Sequence, residues 1–387
     1  MKKIGIVIGL NQYGGGTYQW TLNILESLDA LASSANVEIF IISRTAEDAK
    51  YVTEKYPRFK LKALPTWIAL LNRAVIKLYN HFPKLAPLCR LMLPLNHVAK
   101  SIKLDLLIFP GANLDICLYN RRSLFMFCDI SHKYYPHFPE VGGSKGIRIR
   151  ELIFGDGCSN ATGVIVESEE LKHEVAKYYD IDLSKLYVLY QIFSTQLLTN
   201  PEVTDEHQLP EKYLFYPAQL WEHKNHINLL KAFKVIISEL PEMKLVLTGS
   251  RKEGDQKIFD QIEELELKDS VFYYGYVSDT FISKIFKNAF AMVMPTYFGP
   301  TNIPTLEAFH YGCPAVISDL PGVREQAEDA ALYFDPDNYL AIAEQVLKLT
   351  EEHTRAELIK KGHKRMEELS FERYNRHFHS HINTVLS

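Results

Sequence analysis

The feature that most constrains this chain is an alternation made twice over. Short apolar runs of strand length are followed by runs with apolar residues at helical spacing. In the first series, strands are expected at 3–9, 37–43, 104–109, 123–128, 163–166 and 186–190. Helices are expected at 17–30, 145–161 and 169–178; in the first of these Trp20, Ile24, Leu25 and Leu28 mark one face. A polar segment at 193–212, holding Pro201 and Pro210, reads as a linker. The second series places strands at 213–217, 244–248, 271–274, 291–294, 315–318 and 331–334. Helices at 227–238, 255–265, 279–288 and one carrying Glu307 lie between them. Strands that alternate with helices form parallel sheets covered by helices. The expected fold is therefore α/β, with two Rossmann-like parallel-sheet domains facing a cleft, at 1–195 and 196–370. A final helix at 371–387 is expected to pack back on the N-terminal domain. At 387 residues there is enough chain for two cores.

Charge divides along the same line. Residues 1–196 carry 23 Lys+Arg against 18 Asp+Glu, and residues 197–387 carry 20 against 29. Between 55 and 104 there are ten Lys or Arg and no acidic residue, mixed with Trp67, Leu70, Leu71, Phe82 and Leu91. Such a mixture suits an anionic membrane surface; a helical excursion with a solvated basic face is the other reading. No apolar run reaches the roughly 18 residues of a spanning helix. The opening MKKIGIVIGL reads as a first buried strand rather than a leader. Five cysteines without a C-x-x-C pair suit free thiols in a reducing compartment. These features imply a cytoplasmic protein, with a peripheral position on the inner face of the plasma membrane if the basic stretch meets lipid. Nucleic acid is not an expected partner: the chain is acidic overall and carries no nucleic-acid motif.

In open α/β sheets, ligands bind beyond the carboxyl ends of the strands, so strand-to-helix loops are where chemistry is expected. Four such loops stand out. Asn11 to Thr17 contains Gly14, Gly15 and Gly16, which would let backbone approach an anion, although a plain tight turn explains them equally. Tyr216 to His226 reads YPAQLWEHKNH and puts Lys224 near a helix start, with Asn225 or His226 as cap. PTYFGPTNIPTLEAF, from Pro295 to Phe309, sets Thr301, Asn302 and Ile303 at a helix N-terminus. There Pro304 needs no N–H and Glu307 could accept bonds from vicinal hydroxyls, or merely complement the helix dipole. Finally, His132 follows a first-domain strand; a lone histidine is more often structural. Asp180 and Asp182 resemble a D-x-D metal motif but fall at the wrong end of a strand. His377, His379 and His381 cannot all share one helical face, so no metal site is expected.

Taken in this order, the loops resemble glycosyltransferase family 4, the retaining GT-B enzymes, also known as group 1 glycosyltransferases. YPAQLWEHKNH is similar to that family's phosphate loop, FGPTNIPTLEAFHYGCPAVIS to its signature loop and helix, and DISHKYYP to the segment with its active-site histidine. The resemblance implies that Glu307 binds the donor ribose and that Thr301, Asn302 and Ile303 offer amides to sugar and diphosphate. It further implies that Lys224 neutralises the leaving diphosphate and that Gly15 and Gly16 admit it. His132 would lie beside the anomeric carbon, and Tyr276 and Val277 would flank the base. The implied co-substrate is a GDP- or UDP-linked sugar, with no cofactor and no metal. The implied acceptor is a glycan, lipid-linked, in bacterial O-antigen or capsule synthesis.

Two positions depart from the family pattern. Gly299 stands where a second glutamate is usual, and Gln219 where an arginine is usual, with Arg251 as its replacement. These departures keep open a non-catalytic sugar-nucleotide-binding subunit; a GT-B sugar-nucleotide epimerase is a second alternative, which would call for an extra set of acid/base carboxylates or histidines that the loops do not offer.

Overall fold

The structure is a computed structural model that describes residues 1–9, 16–43, 45–62, 64–193, 208–299 and 301–387. It contains two compact units. Unit 1 comprises Met1–Pro136, Gly142–Gln191 and Phe371–Ser387; unit 2 comprises His137–Val141 and Ile192–Ser370.

Unit 1 holds seven parallel strands: β1 (Lys2–Ile8), β2 (Val37–Ser43), β3 (Lys60–Leu61), β4 (Leu106–Phe109), β5 (Ser123–Met126), β6 (Gly163–Val166) and β7 (Leu186–Val188). Their spatial order is β3-β2-β1-β4-β5-β6-β7. Strands β4, β5 and β6 are buried throughout, as continuous apolar runs covered on both faces must be. Around them pack Phe109, Ile116, Phe125, Phe127, Phe154 and Val164. The two-residue β3 had no periodicity to reveal it. The helix expected at 145–161 is interrupted: Gly143–Glu151 passes through a π-turn at Leu152–Asp156 before Gly157–Asn160. Helix Phe371–Leu386 lies in unit 1, with His379 Nε2 2.9 Å from the Ser27 carbonyl and His381 Nε2 3.0 Å from that of Val188.

Between β3 and β4 the chain forms helices Thr66–His81, Ala86–Met92 and Pro94–Ser101. The first buries Asn72, Val75 and Tyr79 on one face. Its other faces and the next helix leave Trp67, Leu70, Leu71, Phe82, Leu88, Leu91 and Met92 exposed. Arg73, Lys77 and Lys84 are exposed among them, and none makes an ion pair among the described residues. No helix among the described residues is long and apolar enough to cross a membrane.

Unit 2 holds six parallel strands: β8 (Tyr213–Pro217), β9 (Lys244–Thr248), β10 (Val271–Tyr273), β11 (Ala291–Met294), β12 (Ala315–Ser318) and β13 (Ala331–Phe334). Their order is β10-β9-β8-β11-β12-β13. Chain order reverses between β8 and β11, which pair directly through Ala291 with Leu214 and Met292 with Phe215. At such a switch point the following loops diverge and leave a crevice beyond the strand ends.

Candidate functional site

The loop after β8 and the loop after β11 flank that switch point in unit 2. Backbone bonds lace the first to the end of β9: Ala218 N–H donates to Thr248 O at 3.2 Å and Leu220 N–H to Ser250 O at 3.1 Å. Gly249 makes the approach possible. Its φ is +114°, and a Cβ there would lie 2.4 Å from the Ala218 carbonyl oxygen. Gly249 N–H in turn donates to Gly275 O at 2.7 Å, so the ends of β8, β9 and β10 form one rigid rim.

On this rim Glu222–Lys224 forms a tight turn, followed by Asn225 at φ +59° and helix His226–Glu239. Asn225 does not cap that helix with its side chain. Its Nδ2 donates instead to Pro336 O at 2.8 Å. Nor does His226: it is buried with both ring nitrogens unpartnered among the described residues, and burial, with Lys224 and His223 nearby, pushes its pKa down to about 3. Lys224 is different. Its side chain is partly exposed and its ammonium makes no ion pair among the described residues. The surrounding protein desolvates it and lowers its pKa to about 8, with Glu140 opposing the shift.

Neither of the proposed arginine substitutes is free. Gln219 Oε1 accepts from Trp221 Nε1 at 2.8 Å. Arg251 is held by Asp255 through Nε at 2.9 Å and Nη2 at 2.8 Å, and lies over the Phe259 ring. The guanidinium fork that would clasp a phosphate is already closed on a carboxylate.

The loop after β11 leads into helix Ile303–His310, with Asn302 at its N-cap and Pro304 in its first turn. Gly299 has φ +134°, a conformation that favours glycine. The missing glutamate is thus a change of backbone as well as of side chain. Asn302 requires a correction. Its N–H, expected to face the ligand, donates to Gln326 Oε1 at 2.8 Å and is buried. Ile303 opens the helix; Pro304 has no N–H, and Thr305 N–H donates to Asn302 O at 3.1 Å, so within this turn the Ile303 amide is the one left for a ligand. Thr301 precedes it and is half-buried.

Glu307 lies one turn into that helix. It is partly exposed, and its carboxylate has no hydrogen-bond partner among the described residues. Desolvation, with a smaller contribution from Asp279, raises its pKa to about 7. Asp279 opens the helix after β10; the sequence reading passed over it, although the strand-end rule pointed at its loop. In the same loop Tyr276 is exposed and Val277 is buried.

In unit 1, Gly15 lies outside the described residues, with the rest of 10–15. Gly16 is the first residue of helix Gly16–Ser34. His132 sits in the short helix Ser131–Tyr134 after β5. Its side chain is fully buried, with Nε2 2.9 Å from Glu151 Oε1 and 3.1 Å from the Tyr179 hydroxyl. Nδ1 is buried without a partner among the described residues. Burial lowers its pKa and Glu151 resists. Asp180 ends helix Glu169–Tyr179 at φ +52°, and Asp182 caps the next turn by accepting from Ser184 N–H at 2.8 Å; both lie at the amino end of β7. No cluster of three metal-ligating side chains occurs among the described residues.

A lysine and a carboxylate unpaired among the described residues, with a helix N-terminus between them in the chain, thus stand at the carboxyl ends of two adjacent strands. Residues 202–365, which include all of them, match the family described as Glycosyl transferases group 1. The chain is 27% identical over 176 residues to the O-antigen chain mannosyltransferase RfbU of Salmonella typhimurium, a match covering 45% of this chain and 47% of that one. It is 23% identical over 248 residues to O-antigen chain mannosyltransferase B of Escherichia coli, covering 62% and 64%. The matches therefore span about half to two thirds of these relatives' lengths. Among solved structures, the chain resembles Anabaena HepE, solved with UDP and glucose, at a TM-score of 0.71 and 15% identity, over 99% of this chain and 100% of that one. Staphylococcus aureus TarM gives a TM-score of 0.72 at 14% identity over 99% and 100%. These two likenesses establish the architecture, two parallel-sheet α/β domains of the GT-B class.

Proposed function

We propose that this protein is a retaining, metal-independent glycosyltransferase. It moves a sugar from a GDP- or UDP-linked donor to a lipid-linked glycan acceptor in bacterial O-antigen or capsule synthesis. The observation that carries the reading is the pair of unspent charges in unit 2. Lys224 and Glu307 are desolvated yet unpaired among the described residues, on loops that follow adjacent strands. Leaving such groups without partners is costly unless a ligand completes them.

The chemistry follows from the charges. When the bond from the anomeric carbon to the diphosphate breaks, negative charge grows on the leaving oxygen. Lys224 and the Ile303 amide at the start of helix Ile303–His310 would stabilise that charge without rearranging. Glu307, ionised, would accept bonds from the ribose hydroxyls and fix the nucleotide. The names of the relatives support a sugar acceptor and make mannose donors the first to try.

Calorimetry with UDP and GDP, followed by a donor panel with NMR of the product anomer, tests the reading. Binding of one nucleotide and transfer with retained configuration are expected. Transfer with inversion removes the retaining mechanism, and binding without transfer or donor hydrolysis favours the non-catalytic subunit.

The lipid-linked acceptor is supported by the exposed helices of unit 1. Trp67, Leu70, Leu71, Phe82 and Leu91 are exposed beside Arg73, Lys77 and Lys84. Basic residues near anionic lipid contribute about 1 kcal/mol each, and exposed apolar side chains can insert at the interface. Flotation with anionic vesicles at low salt is expected, and replacing Arg73, Lys77, Lys84 and Arg90 by Gln should abolish it. Failure of the parent protein to float removes the membrane component.

A further inference from the structure

Residues His137–Val141 cluster with unit 2, although the chain on either side belongs to unit 1. Within this segment Glu140 makes contacts that no strand-end rule anticipates. Its Oε1 accepts the main-chain N–H of His223 at 2.8 Å and also bonds His223 Nδ1. The two side chains are 9% and 10% exposed. Glu140 Oε2 is buried without a partner among the described residues. Burial alone would raise the pKa of this carboxyl, but the bonds from His223 outweigh it and hold the value below the usual range.

His223 is the point where several loops meet. Its carbonyl accepts Tyr297 N–H at 2.9 Å and the Thr296 hydroxyl at 3.3 Å, both from the loop after β11. Its ring stacks on Phe298 with centroids 4.1 Å apart and planes 15° apart. Phe138, two residues before Glu140, packs against both Tyr297 and Phe298. Lys224 follows His223 directly within the same turn, which Lys224 N–H and Asn225 N–H close on Trp221 O and Glu222 O at 3.1 and 3.0 Å. There is no slack between the imidazole and the lysine, so whatever fixes His223 fixes the backbone of Lys224.

We propose that Glu140 is a positioning residue for the donor site. By gripping His223 at both its main-chain N–H and its Nδ1, it locks the Glu222–Lys224 turn to the loop after β11 and presents Lys224 to a nucleoside diphosphate. A carboxylate suits the task because one oxygen can take two donors, and hydrogen bonds to a charged acceptor are roughly twice as strong as neutral ones. This rests on the function proposed above, so the test has one arm that does not need it.

Glu140→Ala and Glu140→Gln are made in the parent and in Lys224→Ala. Hydrogen exchange of residues 220–226 is measured without ligand, UDP and GDP affinities by calorimetry, and donor kcat and KM by transfer. Glu140→Ala is expected to speed exchange at His223 and Lys224 by about tenfold or more and to weaken nucleotide binding about tenfold, as for loss of a charged hydrogen bond. Glu140→Gln, whose carbonyl oxygen can still accept both donors, should stay within about threefold of the parent. In the Lys224→Ala background Glu140→Ala should cost nucleotide affinity little more, because the clamp acts through the lysine. Unchanged exchange, or losses that multiply in the double variant, overturns the proposal. If Glu140→Ala does not fold, Glu140→Asp, one methylene shorter, must loosen exchange to an intermediate degree or the proposal falls. A parent that binds neither nucleotide sinks the proposed function, and the exchange measurement still decides the clamp.

Discussion

Lys224 with Glu307 in unit 2, and His132 in unit 1, were all assigned to one reaction by resemblance, yet their surroundings differ in kind. Lys224 and Glu307 are partly open to solvent, desolvated and unpaired among the described residues. His132 is sealed, and its Nε2 is spent on Glu151 and Tyr179. A group poised for a ligand keeps hydrogen-bonding capacity in reserve, whereas a structural polar group spends it on its own fold. The contrast separates residues that bind in the described conformation from one that must first leave its partners.

The sharpest way to break this comparison is Lys224→Ala. Donor turnover should fall by about 10²–10³, the scale for removing one preorganised stabiliser of developing charge, with kcat affected more than KM. Steady-state kinetics equal to the parent would place Lys224 with the structural group. Glu307→Ala should then weaken nucleotide binding by about tenfold, the loss of one or two hydrogen bonds to a charged acceptor. Calorimetry checks it, and unchanged affinity removes the ribose role. His132→Ala should act the other way round. It removes the imidazole from the Tyr179 hydroxyl and leaves Glu151 only its ion pair with Lys133 at 2.6 Å, and should cost roughly 1–3 kcal/mol in denaturant unfolding. If it folds well and only turnover collapses, the imidazole must swing free in the donor complex.

Protonation sharpens the comparison further. Glu307, with its pKa at about 7, must be ionised to accept two hydroxyl donors, and Lys224, at about 8, must be protonated. Donor kcat/KM should therefore fall below about pH 7 and above about pH 8. Glu307→Gln should flatten the acid limb alone. The same raised value carries a stability sign. The contribution from protonated Glu307 is fully present below the ordinary glutamate range and is lost as pH rises through about 7. Glu307→Gln should thus be more stable than the parent at pH 8, by the order of 1 kcal/mol after allowing for solvent screening. Smallest of all is the effect of a chelator: EDTA should leave turnover unchanged, because charge stabilisation is assigned to Lys224 and the Ile303 amide. Loss with rescue by Mn²⁺ or Mg²⁺ would return attention to Asp180 and Asp182.

Most of the element order was written in the sequence. Strands such as Val37–Ser43, Lys244–Thr248 and Ala315–Ser318 fall on the expected residues, because a buried parallel strand needs an unbroken apolar run and little else resembles one. The positions of Lys224 and Glu307 were legible too, since loop placement follows from strand order and strand order from alternation. The π-turn at Leu152–Asp156 was not: helical spacing continues through it, and the extra residue per turn is set by packing.

What only the tertiary structure decided is which polar atoms remain free. Asn302 N–H is taken by Gln326, 24 residues away in sequence. Arg251 is taken by Asp255, and His223 is gripped by Glu140 from 83 residues away. Gly299 reads as a missing side chain until its backbone angle shows a loop that favours glycine. Periodicity is local, so sequence carries it. A hydrogen bond consumes a donor once only, and its partner is whichever acceptor the fold brings within about 3 Å. That competition between ligand and protein for the same N–H is settled by the packed chain.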